Sequence, residues 1–196
     1  MIIATQHKHK DCSSVLLLTL AIMIMLGWVT LAQAHGIKGV GKLEFGMKPS
    51  EVEALEGCSS QTECLYDLMG KNRYFTLVYD AKHSKDPMET TPPPTANLTH
   101  IDIDMGNHTK EWFGELYEVL IRQYPLSHIP TEQEDLKFQN GTDNELIIGF
   151  AEGSVLLKIV RRQFGNAILR VVYQDSAAAE AQRQSWEQGQ PQAASQ

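Results

Sequence analysis

The sequence predicts an α+β fold in which two helix-plus-antiparallel-meander units pack as a helix-on-sheet sandwich. Two observations support this prediction. Short apolar runs with a period of two residues indicate strands, and turn residues separate them. Each set of runs follows one stretch with helical spacing, so the chain alternates a helix with three strands, twice over. We place these units at about residues 43–105 and 107–175, within a domain of residues 35–175.

Residues 1–34 have the pattern of a secretory signal peptide. Lys8 and Lys10 precede an apolar run at residues 15–31, and Ala34 ends the small-x-small site that signal peptidase recognises. Cleavage there makes His35 the first residue of an exported chain, periplasmic or secreted. The length of the apolar run leaves an uncleaved inner-membrane anchor as the alternative. After cleavage we expect no stable membrane insertion.

The composition of the exported chain restricts its partners. Removing Lys8, Lys10 and Asp11 with the leader moves the net charge from −7 to −8. An acidic surface argues against nucleic acid and against anionic lipid as partners. Cleavage also leaves only Cys58 and Cys64, and an even pair of cysteines in an oxidising compartment predicts a disulfide.

The first unit begins with a short helix. Pro49 suits the first helical position, because its missing N–H would have no partner there, and Gly57 offers a left-handed stop. Residues 64–68 and 73–79 follow as a hairpin around a turn at residues 69–72. The polar, proline-rich residues 80–97 are predicted to form a long loop.

The last strand of the first unit has the clearest alternation in the chain. Residues 98–105 place apolar side chains on one face and polar side chains on the other, which predicts a half-buried strand. A turn is expected at residues 106–108. The apolar face carries Ile101, Ile103 and Met105, and the polar face carries His100, Asp102 and Asp104.

The second unit begins with the best helix in the sequence, at residues 109–124. Asn107 or Thr109 caps this amphipathic helix and Pro125 ends it. Strands are predicted at residues 145–151, 154–162 and 167–174, with residues 136–138 as an additional edge strand. Residues 176–196 are rich in Ala, Gln, Ser and Glu around an isolated Trp186, so we expect a flexible tail, either a frayed helix or disordered.

The first unit resembles a known family of exported proteins. The stretch FGMKPSEVEALEG at residues 45–57, followed by FTLVY at residues 75–79 and LTHI at residues 98–101, is similar to the SmpA/OmlA (BamE-like) family. Tandem copies of this unit look like the β-lactamase-inhibitor-protein fold. The chain departs from the family pattern at Lys48, where a Thr or Ser cap is usual, and it has no lipid-bearing cysteine. The resemblance implies this fold and an exported binding role.

Two groups of residues are candidates for metal chemistry. A mature N-terminal His35 could chelate copper through its amine and ring, as in lytic polysaccharide monooxygenases. His100, Asp102 and Asp104 share one strand face and could ligate a metal ion, although alternation alone also produces a solvated polar face. The same three residues are the candidates for a cryptic hydrolase if they converge in a pocket.

The sequence favours a non-enzymatic function. We find no catalytic motif and expect no cofactor. We predict a binding, inhibitor or envelope assembly-helper protein whose partner is another envelope or secreted protein, contacted through the sheet face or the loop at residues 80–97. A copper or other metal protein using His35 is the alternative. Three N-glycosylation sequons begin at Asn97, Asn107 and Asn140, and their use depends on the host.

Overall fold

Two antiparallel meanders join to build one seven-stranded sheet. The computed structural model describes residues 36–80, 91–163 and 166–189. A two-stranded ribbon and a short helix precede the large sheet, and its strands alternate with further helices. The elements are β1 (Gly39–Val40), β2 (Leu43–Glu44), α1 (Pro49–Glu53), β3 (Glu63–Leu68), β4 (Lys71–Tyr79), β5 (Leu98–Asn107), α2 (Lys110–Gln123), β6 (Leu126–His128), α3 (Glu132–Gln139), β7 (Glu145–Phe150), β8 (Val155–Val160), β9 (Ile168–Gln174) and α4 (Ser176–Gly189).

The strand order of the large sheet shows how the two units combine. The order is β3-β4-β5-β9-β8-β7-β6, with antiparallel pairing throughout. The last strand of the first meander, β5, pairs with the last strand of the second, β9, and Ile103 lies opposite Val171. The predicted α+β class, with two helix-plus-meander units, is therefore confirmed.

One face of this sheet carries the hydrophobic core. Val52 of α1 and Leu116 and Leu120 of α2 are buried against it, so both helices cover the same face. Ile101, Ile103 and Met105 are all buried, as the alternation of β5 predicts. The other buried side chains of this core are Leu43, Cys64, Phe75, Leu77, Tyr79, Ala96, Leu98, Phe150, Val155, Leu157, Leu169 and Val171.

The helix predicted at Pro49 is present but shorter than Gly57 suggested. Pro49 is its first residue, and the Lys48 N–H donates to the Glu51 carboxylate at 2.6 Å. This contact occupies a free donor at the helix start although no Thr or Ser precedes the proline. The helix ends at Glu53, and Gly57, at φ 93°, lies beyond it.

The predicted hairpin forms with a tighter turn than expected. Met69 and Gly70 both have positive φ, at 57° and 72°, and they connect β3 to β4 directly. Two consecutive residues of this kind match the twist of an antiparallel pair. The strand β4 therefore begins at Lys71, two residues before the predicted start.

The transition from β5 to α2 differs from the predicted turn at residues 106–108. The strand continues through Gly106 to Asn107, with an irregularity in its pairing to β9 between Asp104 and Gly106. Gly106 has φ 91°, which glycine adopts without strain. The Thr109 hydroxyl then accepts a hydrogen bond from the Trp112 N–H at 3.1 Å, so Thr109 is the cap of α2.

The edge strand predicted at residues 136–138 is wrong. These residues lie in α3, which begins after Thr131 with a capping box to Glu134. The edge strand of the second meander is instead β6, the residues that follow Pro125. Local capping by Thr131 and Glu134 outweighs the short apolar pattern of residues 136–138.

The C-terminal segment also differs from the expected flexible tail. Residues 176–189 form the helix α4, and Ala179 within it is only 4% exposed. The Asp175 carboxylate accepts a hydrogen bond from the Ala178 N–H at 2.8 Å and so caps its first turn. Within the described residues, no helix combines the length and apolarity that crossing a membrane requires.

Candidate binding surface

Within residues 36–80, 91–163 and 166–189, one half of the sheet face opposite the core is covered. There α4 packs at the β7 end, where the Trp186 ring lies against Gly149 and stacks on His128 of β6. Leu156 and Val172, which share this face with Gly149 in neighbouring strands, are 1% and 6% exposed. The part of the β7–β8–β9 half that lies next to α4 is therefore shielded from solvent.

The other half of the same face is exposed. Exposed side chains line its two outer strands, and six of them form what we call the open patch: Glu63, Leu65 and Asp67 of β3 and Tyr74, Thr76 and Val78 of β4. Leu65 lies directly opposite Tyr74 in the β3–β4 ladder. The exposed fractions are 41% for Leu65, 66% for Tyr74 and 46% for Val78. Neighbouring exposed apolar side chains of this size are typical of an interaction surface.

An ion pair borders the open patch toward the middle of the sheet. Asp102 lies opposite Thr76, and its Oδ2 atom accepts a hydrogen bond from Arg170 Nη1 at 2.7 Å. Burial raises the pKa of Asp102, and the Arg170 charge and hydrogen bond oppose that shift. In the part of the chain that the structure describes, Asp102 Oδ1 and Arg170 Nε are buried without a hydrogen-bond partner.

The residues predicted as metal ligands share one face but have separate partners. Asp104 accepts a hydrogen bond from the Gly106 N–H at 2.7 Å and lies 3.9 Å from Arg162. His100 Nδ1 is 3.0 Å from the Thr99 hydroxyl, and burial lowers the pKa of His100. Asp102 and Asp104 are thus each held next to a different arginine.

No metal centre is evident in the described ranges. They contain no group of three or more His, Cys, Asp or Glu side chains placed to hold a metal ion. The hydrolase hypothesis needs His100 to converge with Asp102 and Asp104, which the arginine contacts do not favour. His35 lies outside the described residues, so copper binding there stays a prediction.

The predicted disulfide between Cys58 and Cys64 is present, with an S–S distance of 2.04 Å. It holds the chain before β3 along the outer edge of that strand. The Leu65 N–H donates to the Gly57 carbonyl at 2.7 Å, and the Ser59 N–H donates to the Glu63 carbonyl at 3.1 Å. An unpaired strand edge invites pairing with another chain. Because these bonds occupy much of the β3 edge, the face of the sheet is the better docking surface.

The contact between α4 and the sheet includes a buried histidine. His128 Nε2 lies 3.5 Å from Glu134 Oε1, and its ring stacks on Trp186 with centroids 4.2 Å apart. Burial lowers the pKa of His128, against the opposing effect of Glu134. A neutral imidazole therefore packs between the carboxylate and the indole ring.

A polar cleft of about 490 Å³ lies beside this contact. Its lining includes Glu134, Asp143, Glu145 and Trp186, and the described lining residues include no lysine or arginine. The histidine, the indole ring and this cleft lie on the covered half of the face, away from the open patch.

Two further predicted features have structural counterparts. The Asn97 side-chain amide donates to Asp80 at 3.0 Å and accepts from Lys48 Nζ at 2.7 Å, so its sequon begins at a hydrogen-bonded residue directly before β5. Asn107 and Asn140 are exposed. The loop predicted at residues 80–97 is described only in part, because residues 81–90 lie outside the described ranges.

The sequence alone did not predict a binding role for Leu65, Tyr74 and Val78. The sequence feature that could have indicated them is that β4 has apolar residues on both of its faces. Tyr74 and Val78 lie on one face, and Phe75 and Leu77 lie on the other. When one face of a strand is expected to be exposed to solvent, apolar residues on that face indicate that it also makes contacts.

Comparisons with known proteins do not add a relationship. No protein-family model, curated protein sequence or solved structure matches the chain. The resemblance of residues 45–57 to the SmpA/OmlA family therefore stays a prediction.

Proposed function

We propose that this chain is an exported, non-enzymatic protein that binds another envelope or secreted protein through the open patch. The observation that supports this role is the cluster of Leu65, Tyr74 and Val78 on an uncovered sheet face. Burying such side chains against a partner removes apolar area from water, which supplies about 25 cal/mol for each Å² buried. Tyr74 is the best candidate for an anchor, since tyrosine combines a large apolar ring with a polar tip.

The sequence supports the exported location. The leader at residues 1–34 predicts secretion, and the disulfide between Cys58 and Cys64 suits an oxidising compartment. An inhibitor and an assembly helper would both use the surface in this way, because each acts by occupying a partner's surface.

Site-specific photocrosslinking in the native host tests the proposal. A photoreactive phenylalanine analogue replaces Tyr74 or Val78, and the matched control carries it at Glu118, an exposed position on the solvent side of α2. We expect a defined crosslinked product from positions 74 and 78 that is absent from position 118. The Leu65→Asp substitution next to the probe should abolish that product.

Two results would contradict the proposal. Equal crosslinking from all three positions would mean that the open patch has no preference over the helical side of the molecule. An absence of product at positions 74 and 78, with the variants folded and exported, would mean that no partner protein occupies this face.

A further inference from the structure

The open patch lies in the most acidic part of the sheet. On this face, the described side chains of β3, β4 and β5 include four carboxylates and neither lysine nor arginine. His100 lies on the same face, and burial lowers its pKa, so it adds little positive charge at neutral pH. The four carboxylates belong to Glu63, Asp67, Asp102 and Asp104.

Among the described residues, two of these carboxylates have an arginine partner. Arg170 pairs with Asp102 at 2.7 Å, and Arg162 lies 3.9 Å from Asp104. Glu63 and Asp67 are exposed, and neither forms an ion pair with another described residue. The negative charge that is free to act on a partner is therefore concentrated on β3.

The spacing of the two free carboxylates frames the apolar centre of the patch. Glu63 and Asp67 are four residues apart on β3, which corresponds to about 13 Å in an extended strand. Leu65 lies midway between them on the same face, with Tyr74 directly opposite. The patch thus consists of an apolar centre with one negative charge on each side along the strand.

We infer that the partner presents an apolar or aromatic side chain flanked by lysines or arginines. This inference rests on the proposed binding role and adds the chemistry of the partner. The apolar centre supplies most of the affinity, while the two flanking charges orient the partner and increase its rate of association. A partner segment with acidic flanks would be repelled at both ends of β3.

The charges also argue against other occupants. A two-fold dimer centred on the open patch would bring Glu63 and Asp67 of both copies into one small interface, and like charges in close apposition are unfavourable. Nucleic acids and anionic lipid surfaces carry charge of the same sign as the patch.

Selection from a random peptide display library tests the inference directly. The target is the full chain as its host exports it, at low ionic strength, with the Tyr74→Glu variant as counter-target to remove peptides that bind elsewhere. Leading peptides are then measured against the Glu63→Gln, Asp67→Asn double variant. The matched control is the Glu111→Gln, Glu115→Gln double variant, which removes the same charge from exposed positions of α2.

We expect peptides in which a bulky apolar residue is flanked by lysine or arginine. The Glu63→Gln, Asp67→Asn variant should bind these peptides about fivefold more weakly, because it loses two exposed ion pairs with the peptide. The affinity of the control variant should not change. Added salt should weaken binding to the native chain more than binding to this variant. Urea denaturation of each variant establishes that the fold is unchanged.

Other outcomes would overturn the inference in distinguishable ways. Peptides that depend on Tyr74 but have neutral or acidic flanks, or that bind both double variants equally, would refute the basic partner and leave the binding role intact. A failure to select any peptide that depends on Tyr74 would refute the inference, and the crosslinking experiment would then decide the binding role separately. A dimer in sedimentation that Tyr74→Glu dissociates would identify a second copy as the occupant.

Discussion

The Trp186 side chain rests on β7 at a position where only glycine fits. A Cβ atom added to Gly149 would lie 2.3 Å from Cη2 of Trp186 and 3.1 Å from Cβ of His128. Ordinary contact begins near 3.4 Å, so the Gly149→Ala substitution must displace the indole ring by about 1 Å. That displacement disrupts the parallel stacking of Trp186 on His128, whose ring planes are 4° apart.

The structure bounds the energetic cost of Gly149→Ala. Overpacking a filled site costs about 1–3 kcal/mol. The indole ring can also leave its site, which gives up an aromatic contact worth about 0.5–1.5 kcal/mol and some buried area. We therefore expect Gly149→Ala to lower the free energy of unfolding by about 1–2 kcal/mol. In a Trp186→Ala background only the 3.1 Å approach to Cβ of His128 remains, so Gly149→Ala should cost clearly less than in the native chain.

A double-mutant cycle measured by urea denaturation tests this reasoning. The four proteins are the native chain, the two single variants and the double variant, followed by circular dichroism so that the loss of Trp186 does not change the signal. Gly114→Ala is the control, because a Cβ atom there meets nothing within 4 Å and alanine favours the helix interior by about 0.5–1 kcal/mol. An equal cost of Gly149→Ala with and without Trp186 would refute the packing of the Trp186 ring on Gly149.

Three further predictions concern other parts of the molecule. Replacing Cys58 and Cys64 by alanine should lower the free energy of unfolding by about 2 kcal/mol without reductant, and an unchanged urea midpoint would contradict this. Burial lowers the pKa of His128 below its ordinary 6.5, so the unfolded chain takes up the proton first as the pH falls. The contribution of the neutral ring to stability is therefore complete above pH 6.5 and is lost below it. In urea midpoints measured over a range of pH, His128→Gln should lose less stability on acidification than the native chain. The same pH dependence in both proteins would exclude this role of His128. Tyr74→Ala, at a side chain 66% exposed, should change the free energy of unfolding by less than about 0.5 kcal/mol, whereas a large loss would assign Tyr74 to the core.

The elements that the sequence predicted best depend on local signals. The alternation of residues 98–105 defined both faces of β5, because side chains of successive strand residues point to opposite sides. Pro49 and Thr109 marked the starts of α1 and α2, because a helix start leaves N–H groups that a proline lacks or a hydroxyl satisfies. Each of these signals spans only a few residues.

The elements that the sequence did not predict depend on distant contacts. The composition of residues 176–189 favours a helix but does not indicate what the helix packs against. Trp186 contacts Gly149 and His128, both far away in the sequence, and the glycine provides the space for the indole ring. The open patch has the same limitation: alternation separates the two faces of β4, but it does not show which parts of the second face another element covers.

The exposure of the open patch follows from where the chain goes after each meander. After β5, the irregularity at Gly106 leads into α2, which packs on the core face over Leu116 and Leu120. After β9, the Asp175 N–H donates to the Thr99 carbonyl at 2.9 Å, and the chain enters α4 on the opposite face. The two meanders thus send their following helices to opposite sides of one sheet. On the face opposite the core, α4 therefore covers part of the second meander. On the same face, β3 and β4 of the first meander keep their apolar and acidic side chains exposed to solvent.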